Sequence, residues 1–158
     1  RDCLLSRGLG DVYKRQIMLN QDVGVVLIMT TEFFVAIIPP TVTHQEKKVS
    51  VIKGKPVFYE PYNLKDARLK LMSHLARFVP AKKYIGGVRL IVKWCFPRKN
   101  HRDGEYKITK PDTDNLQKLL KDVMTKLGYW ADDNLVASEI VEKFWAEKPG
   151  IYIRIEDL

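Results

Sequence analysis

Cysteine is nearly missing from the 158-residue chain: only Cys3 and Cys95 occur. Two thiols alone build neither a disulfide framework nor a zinc-binding spacing, and Cys95 lies inside an apolar run. A reducing cytoplasm suits such a chain best. Long hydrophobic runs are lacking too. The longest, VGVVLIM (residues 23–29), is about a third of the ~20 residues a spanning helix needs, so no membrane-spanning helix is expected. Histidine is scarce, three in all, and His101 sits in a polar loop without a partner motif that would make it a catalytic base. Negative charge is in deficit, with 19 Asp and Glu against 27 Lys and Arg, a formal net charge of +8. That balance favours a polyanionic partner, without separating nucleic acid from an acidic membrane surface. Internal repeats and low-complexity tracts are absent. What is present, 46% hydrophobic and 29% charged residues, is the composition of a globular protein with one sizeable core.

The first 16 residues, RDCLLSRGLGDVYKRQ, show neither helical nor strand period. Basic residues ahead of an apolar run raise the idea of a signal peptide, but Thr30, Thr31 and Glu32 follow that run with no small-residue cleavage site. DVYKRQ (11–16) instead reads as the translation of a transposon end used in sequencing libraries. Residues 1–16 are therefore expected to be a library artefact, 1–28 a non-native or disordered leader, and 29–158 the working domain. Met18 and Met29 are the candidate starts, and MTTEFFVAIIPP favours Met29. Removing 1–28 leaves 23 basic against 16 acidic residues, still +7, so the positive charge belongs to the domain.

EFFVAII (32–38), stopped by two prolines, reads as a buried strand. VSVIKGKPVFYEP holds two extended runs around Lys53-Gly54-Lys55, a hairpin signal. Asn63 reads as an N-cap, with Leu64, Ala67, Leu71, Leu75 and Phe78 keeping helical period up to Pro80. VRLIVKWCF (88–96) is the clearest strand and, being apolar nearly throughout, a central one. A second helix is predicted from about Asn115 to Leu127, its apolar face Leu116, Leu119, Leu120, Val123 and Leu127, with Gly128 as its stop. LVASEIVEKFW (135–145) and GIYIRIE (150–156) read as a closing hairpin turned at Lys148-Pro149-Gly150. The fold class is α+β: a single domain with one mixed β-sheet and two main helices.

The acids are not scattered. KPDTDNLQKLLKD (110–122) places Asp112 and Asp114 two apart in a segment extended by Pro111, which sets both on one side of the chain. Asp114 with Gln117 also reads as a capping box, but a cap explains neither Asp112 nor Lys118, one turn beyond Asp114. Two carboxylates this close repel, and the helix N-terminus offers only about half a charge to offset them. A hard divalent cation would neutralise both. An EF-hand does not fit, because Leu116 and Gln117 stand where a ligand and a glycine are required. Asp132 and Asp133, in WADDNLV, read either as a solvated turn or as reaching back to the first pair if the next strand returns along the ~20 Å helix.

KPDTDNLQK followed by LGYWADDNLV resembles the signature of the RusA-type Holliday-junction resolvases, over about residues 29–158. The combination D-x-D-N-L-x-K with W-x-D-D is far more specific than D-x-D alone. The resemblance implies a homodimeric α+β endonuclease, common in phages and prophages, that nicks four-way junctions symmetrically in recombination and repair. By motif position it implies Mg²⁺-binding, catalytic aspartates at Asp112, Asp114 and Asp133, with Mn²⁺ as a substitute, and a functional lysine at Lys118. The segment PPTVTHQEKKVSVIKGK departs from the arginine-rich stretch of better-known members, which bears on junction sequence preference more than on chemistry.

Phosphodiester hydrolysis by such a set would use the aspartates as ion ligands and Lys118 for charge on the phosphoryl group. Asn115 and Asp132 are candidates for supporting the ligands from behind, and Asp122 reads as the partner of a neighbouring lysine. The loop PRKNHRDGEYKITK leads straight into the acids. Its Arg98, Lys99, Arg102, Lys107 and Lys110 are candidate DNA-binding residues, as are Lys47, Lys48, Lys53 and Lys55. Phe33, Phe34 and Trp145 are candidates for a dimer surface. Two other functions fit the same residues: a non-catalytic basic nucleic-acid-binding module, and a metal-dependent nuclease for flaps or other branched DNA.

Overall fold

The computed structural model of the chain describes residues 15–18, 26–42, 48–59 and 61–158. Seven strands and two helices follow in the order β1 (Arg15–Met18), β2 (Val26–Val35), β3 (Lys48–Ile52), β4 (Lys55–Tyr59), α1 (Tyr62–Leu75), β5 (Val88–Pro97), α2 (Thr113–Leu127), β6 (Val136–Ala146) and β7 (Gly150–Asp157). Five strands form one mixed sheet in the order β1-β2-β7-β5-β6, and β3 and β4 form a separate hairpin. The α+β expectation, one mixed sheet with two helices, is met.

The hairpin forms where Lys53-Gly54 predicts it, both residues having positive φ (51° and 75°), the geometry a two-residue turn needs. Val88–Pro97 is the strand expected from its apolar run, and it lies inside the sheet between β7 and β6. Its two faces are not alike. Val88, Leu90, Val92, Trp94 and Phe96 are buried, whereas Arg89 and Lys93 point away from them. On that second face the sheet carries charge: Arg89 pairs with Glu156 and Lys93 with Glu142 (3.8 Å each), and Arg154 with Glu32 (3.9 Å). The core gathers on the first face. Phe33, Val35, Ile151, Ile153 and Ile155 join the β5 residues there against Leu64, Leu71 and Leu75 of α1 and Leu116, Leu119, Leu120, Val123 and Met124 of α2.

Four expectations are corrected. β6 and β7 are not a hairpin: β5 lies between them, parallel to β6 and antiparallel to β7. The most apolar strand takes the position buried by neighbours on both edges, and local turn chemistry yields to it. The strand predicted at 32–38 begins earlier and ends at Val35, and β1 pairs with its start, Arg15 opposite Met29 and Met18 opposite Val26, inside a segment without sequence period. α1 begins at Tyr62 after Pro61, so Asn63 is inside the helix and Asp66 pairs with Lys70 at 2.8 Å. Phe33 is a core residue, 4% exposed and stacked on Phe78 at 4.5 Å, and offers no dimer surface.

Candidate active site

The helix that carries the motif starts two residues earlier than its apolar period suggests. Asp112 occupies the N-cap position with extended backbone (φ −76°, ψ 148°), its carbonyl accepting the Leu116 N–H at 3.2 Å, and its side chain makes no capping bond. Asp114 is in the first turn, where the helix dipole favours a carboxylate. The predicted capping box is absent. Gln117 is 3% exposed, and its carbonyl oxygen accepts the indole N–H of Trp94 at 3.0 Å. An indole nitrogen can only donate, so this bond fixes the amide and turns its NH₂ outward, where it donates to Glu139 at 2.7 Å. A glutamine engaged by the core is not available to the helix end. Gly128 closes α2 with φ 87°, its N–H donating to the carbonyls of Met124 and Thr125, as its position predicts.

Beyond Gly128 the chain is held tightly. Tyr129 and Trp130 are fully buried; the Tyr129 hydroxyl donates to the Leu75 carbonyl at 2.8 Å and the Trp130 indole to Thr125 Oγ1 at 2.8 Å. These anchors deliver Asp132 and Asp133 to a short 3-10 turn before β6. Asp132 caps that turn, accepting the Asp133 N–H at 2.8 Å. Asp133 joins Thr113, Asp114, Gln117, Lys118, Lys121, Glu139 and Val141 in lining a cleft of about 460 Å³. β6 forms the opposite wall. Glu139 pairs in register with core-facing Leu90, and Val141 and Lys143 follow at alternate positions, so these three side chains lie on the helix side of the sheet.

Asp114, Lys118 and Asp133 thus share one cleft, 19 positions apart in sequence at their extremes. Among the described residues the side chains of all three, and of Asp112, make no hydrogen bond or ion pair with protein. Asp112, Asp114 and Lys118 are exposed to solvent, which leaves them open to a ligand. Asp112 does not line the cleft. Nor do three acids come close enough together to hold an ion among the described residues. The donor set itself, carboxylate oxygens with no thiol or imidazole, is what a hard divalent cation takes. Asn115 is buried (7% exposed) and away from the cleft lining. Asp122 pairs with Arg68 of α1 (3.8 Å).

The loop from Arg98 to Lys110 is built, not slack. Gly104 N–H and Lys107 N–H donate to the carbonyls of Trp145 and Lys143, and Trp145 N–H donates to that of Glu105, which extends the sheet past β6. His101 stacks flat on Trp145 (4.4 Å) and meets Glu105 at 3.0 Å, a structural part rather than a base. The Glu105 carboxyl is held below its usual range by the N–H of Arg102 and by His101. Lys99, Arg102 and Lys110 are exposed and Arg98 stands 3.9 Å from Glu147, so these four present positive charge to solvent. Lys107 does not. It is 6% exposed, its ammonium donating to the carbonyl of Thr109 (3.1 Å) and to that of Lys110, over the rings of Trp145 and Phe96. Burial, then the charges of Lys143 and Lys99, lower its pKa. Lys53 and Lys55 are exposed on the β3–β4 hairpin, and Lys47 lies outside the described residues.

Four residues at the site escape sequence reasoning: Gln117, Lys121, Glu139 and Lys143. Glu139 accepts from Gln117 and from Lys121 (3.4 Å), tying α2 to β6 across the cleft floor. Lys143 donates to the carbonyls of Thr109 (2.9 Å) and Pro111 (2.6 Å), fixing the approach to Asp112. Gln117 alone left a trace, a polar residue on the apolar face of the helix.

Comparison with known proteins gives the family. Residues 38–156 match the family described as Endodeoxyribonuclease RusA. The chain is also similar to the crossover junction endodeoxyribonuclease rusA of Lactococcus phage r1t, 32% identical over 119 residues that cover 73% of this chain and 89% of the phage protein. No described helix is long and apolar enough to cross a membrane. The match begins just after β2, runs through nearly all of β7 and takes in every wall of the cleft, and on it the chain belongs to the RusA family of endodeoxyribonucleases.

Proposed function

We propose that the chain is a divalent-metal-dependent endonuclease that resolves four-way DNA junctions by paired nicks, in phage recombination and repair in the cytoplasm. The observation that carries this reading is the meeting of Asp114, Lys118 and Asp133 on one cleft, without side-chain partners among the described residues, in a chain of this family. Asp112, Asp114 and Asp133 are the residues that would hold Mg²⁺, or Mn²⁺ in its place. When bound, such an ion lowers the pKa of a water and offsets charge on the phosphoryl oxygens.

The rest of the chemistry falls to the chain. Lys118, exposed one turn from Asp114, puts a point charge where negative charge grows as water oxygen adds to phosphorus. The P–O3′ bond breaks, the 3′-oxygen takes up a proton, and a 5′-phosphate remains. Arg98, Lys99, Arg102 and Lys110 hold the flanking phosphates, and Gln117 and Lys121 keep Glu139 from swinging into the substrate's place. Asp132 acts indirectly, by setting the turn that aims Asp133. A homodimer with two-fold symmetry supplies the two sites that two symmetric cuts require, and binding through phosphates weakens steeply with salt.

Labelled four-way, flap and plain duplex DNA, each incubated with Mg²⁺ and with EDTA, tests the reading. Symmetric nicks in the four-way junction that need Mg²⁺ are expected. Flap cleavage that outcompetes junction cleavage would move the protein to another branched substrate, and binding without any cleavage would leave a non-catalytic module.

Residues 29–158 are proposed as the nuclease domain. Deleting 1–28 removes β1 and three residues of β2 but keeps the pairing of Thr30–Val35 with β7. The melting temperature is expected to fall by only a few degrees, with junction cleavage retained; a collapse of either means that the β1 ribbon is part of the domain.

A further inference from the structure

Ile108 is 92% exposed, more than any other large apolar side chain among the described residues. A lone exposed aliphatic group needs no explanation in itself; its mounting does. Both neighbours in sequence are tied down. On one side the Lys107 N–H donates to Lys143, and the Lys107 ammonium, buried over Trp145 and Phe96, binds the carbonyls of Thr109 and Lys110. On the other, Lys143 donates to the carbonyls of Thr109 and Pro111. Two lysines are thus spent on holding a five-residue stretch in shape, and the large apolar side chain of that stretch, an isoleucine, is left in solvent. Lys99, Arg102 and Lys110 of the same loop are exposed and without ion pairs among the described residues.

We propose that Ile108 is a wedge that enters a base step of branched DNA at the point of strand exchange. The inference rests on the junction-cleaving function proposed above. An apolar side chain between flanking cations is the arrangement by which proteins unstack bases while gripping the backbone on either side. A branch point is where this costs least, since stacking is already interrupted there. The wedge also sets a ruler. Ile108 lies four residues before Asp112, at most about 14 Å away along an extended chain, so the cut falls within about four nucleotides of the unstacked step at 3.4 Å per nucleotide.

The test places 2-aminopurine at the branch point of a four-way junction and reads its fluorescence on binding in Ca²⁺, then cleavage in Mg²⁺. Wild-type protein should raise the fluorescence several-fold. Ile108→Ala should keep the melting temperature and bind the junction within threefold, lose the rise, and cut at least tenfold more slowly, while Ile108→Leu restores both. An Ile108→Ala protein that unstacks and cuts like wild type overturns the wedge alone, as does a Leu variant that restores neither. A wild type that cuts the junction without any rise in fluorescence overturns it too. A wild type that neither binds nor cuts the junction overturns the proposed function, and the wedge with it.

Discussion

Asp114→Asn is expected to slow junction cleavage about a thousandfold, roughly 4 kcal/mol of transition-state stabilisation, while junction binding in the absence of Mg²⁺ persists. The exposed Asp114 stands in the first turn of α2 and lines the cleft, with no side-chain partner among the described residues. An amide of the same shape keeps the packing but loses the charge that attracts a hard cation. Folding should barely register the change, because an exposed first-turn carboxylate contributes only about 0.3–1 kcal/mol through the helix dipole. Asp133→Asn and Asp112→Asn are expected to behave alike. Near-wild-type cutting by any two of the three would overturn the assignment. Asp112 is the most informative of them, since it sits at the N-cap and outside the cleft lining.

Lys118→Met should cost about a hundredfold in kcat, near 2.7 kcal/mol, the scale of removing one preorganised charge from a developing oxyanion. Methionine keeps the length of the side chain and the helix propensity, so the variant isolates the charge. Lys118→Arg should recover part of the rate. Lys126, exposed in the last turn of the same helix and away from the cleft, is the control, and Lys126→Met should cut normally. If Lys118→Met loses threefold or less, Lys118 is a solvated helix lysine and the cleft lacks its cation.

The sequence showed α2 well because its period is strong and its stop is chemical: Leu116, Leu119, Leu120 and Val123 are all buried and Gly128 adopts the left-handed conformation that only glycine takes easily. It showed the motif residues because their spacing is unusual. It did not show which of the acids share a wall. That depends on β6 lying parallel to β5 with Glu139 opposite Leu90, a pairing decided by which strand the core draws into the middle. Asp114 and Gln117 read as a capping box, whereas the glutamine serves Trp94, 23 residues away, and Glu139, 22 residues away. Lys107 read as a surface cation for a similar reason. Nothing local marks a lysine whose ammonium will be surrounded by carbonyls of its own loop and covered by two rings. In each case the local pattern was consistent, and a long-range partner claimed the polar group.

The central claim is that the cleft between α2 and β6 holds the divalent cation that cleavage requires. Calorimetric titration of Mn²⁺ into the wild-type protein with bound, uncleavable junction, repeated with Asp114→Asn and Asp133→Asn, tests it most directly. Saturable binding by the wild type that both variants lose, with their junction affinity and melting temperature kept, is the predicted result. Variants that bind Mn²⁺ as the wild type does would contradict it.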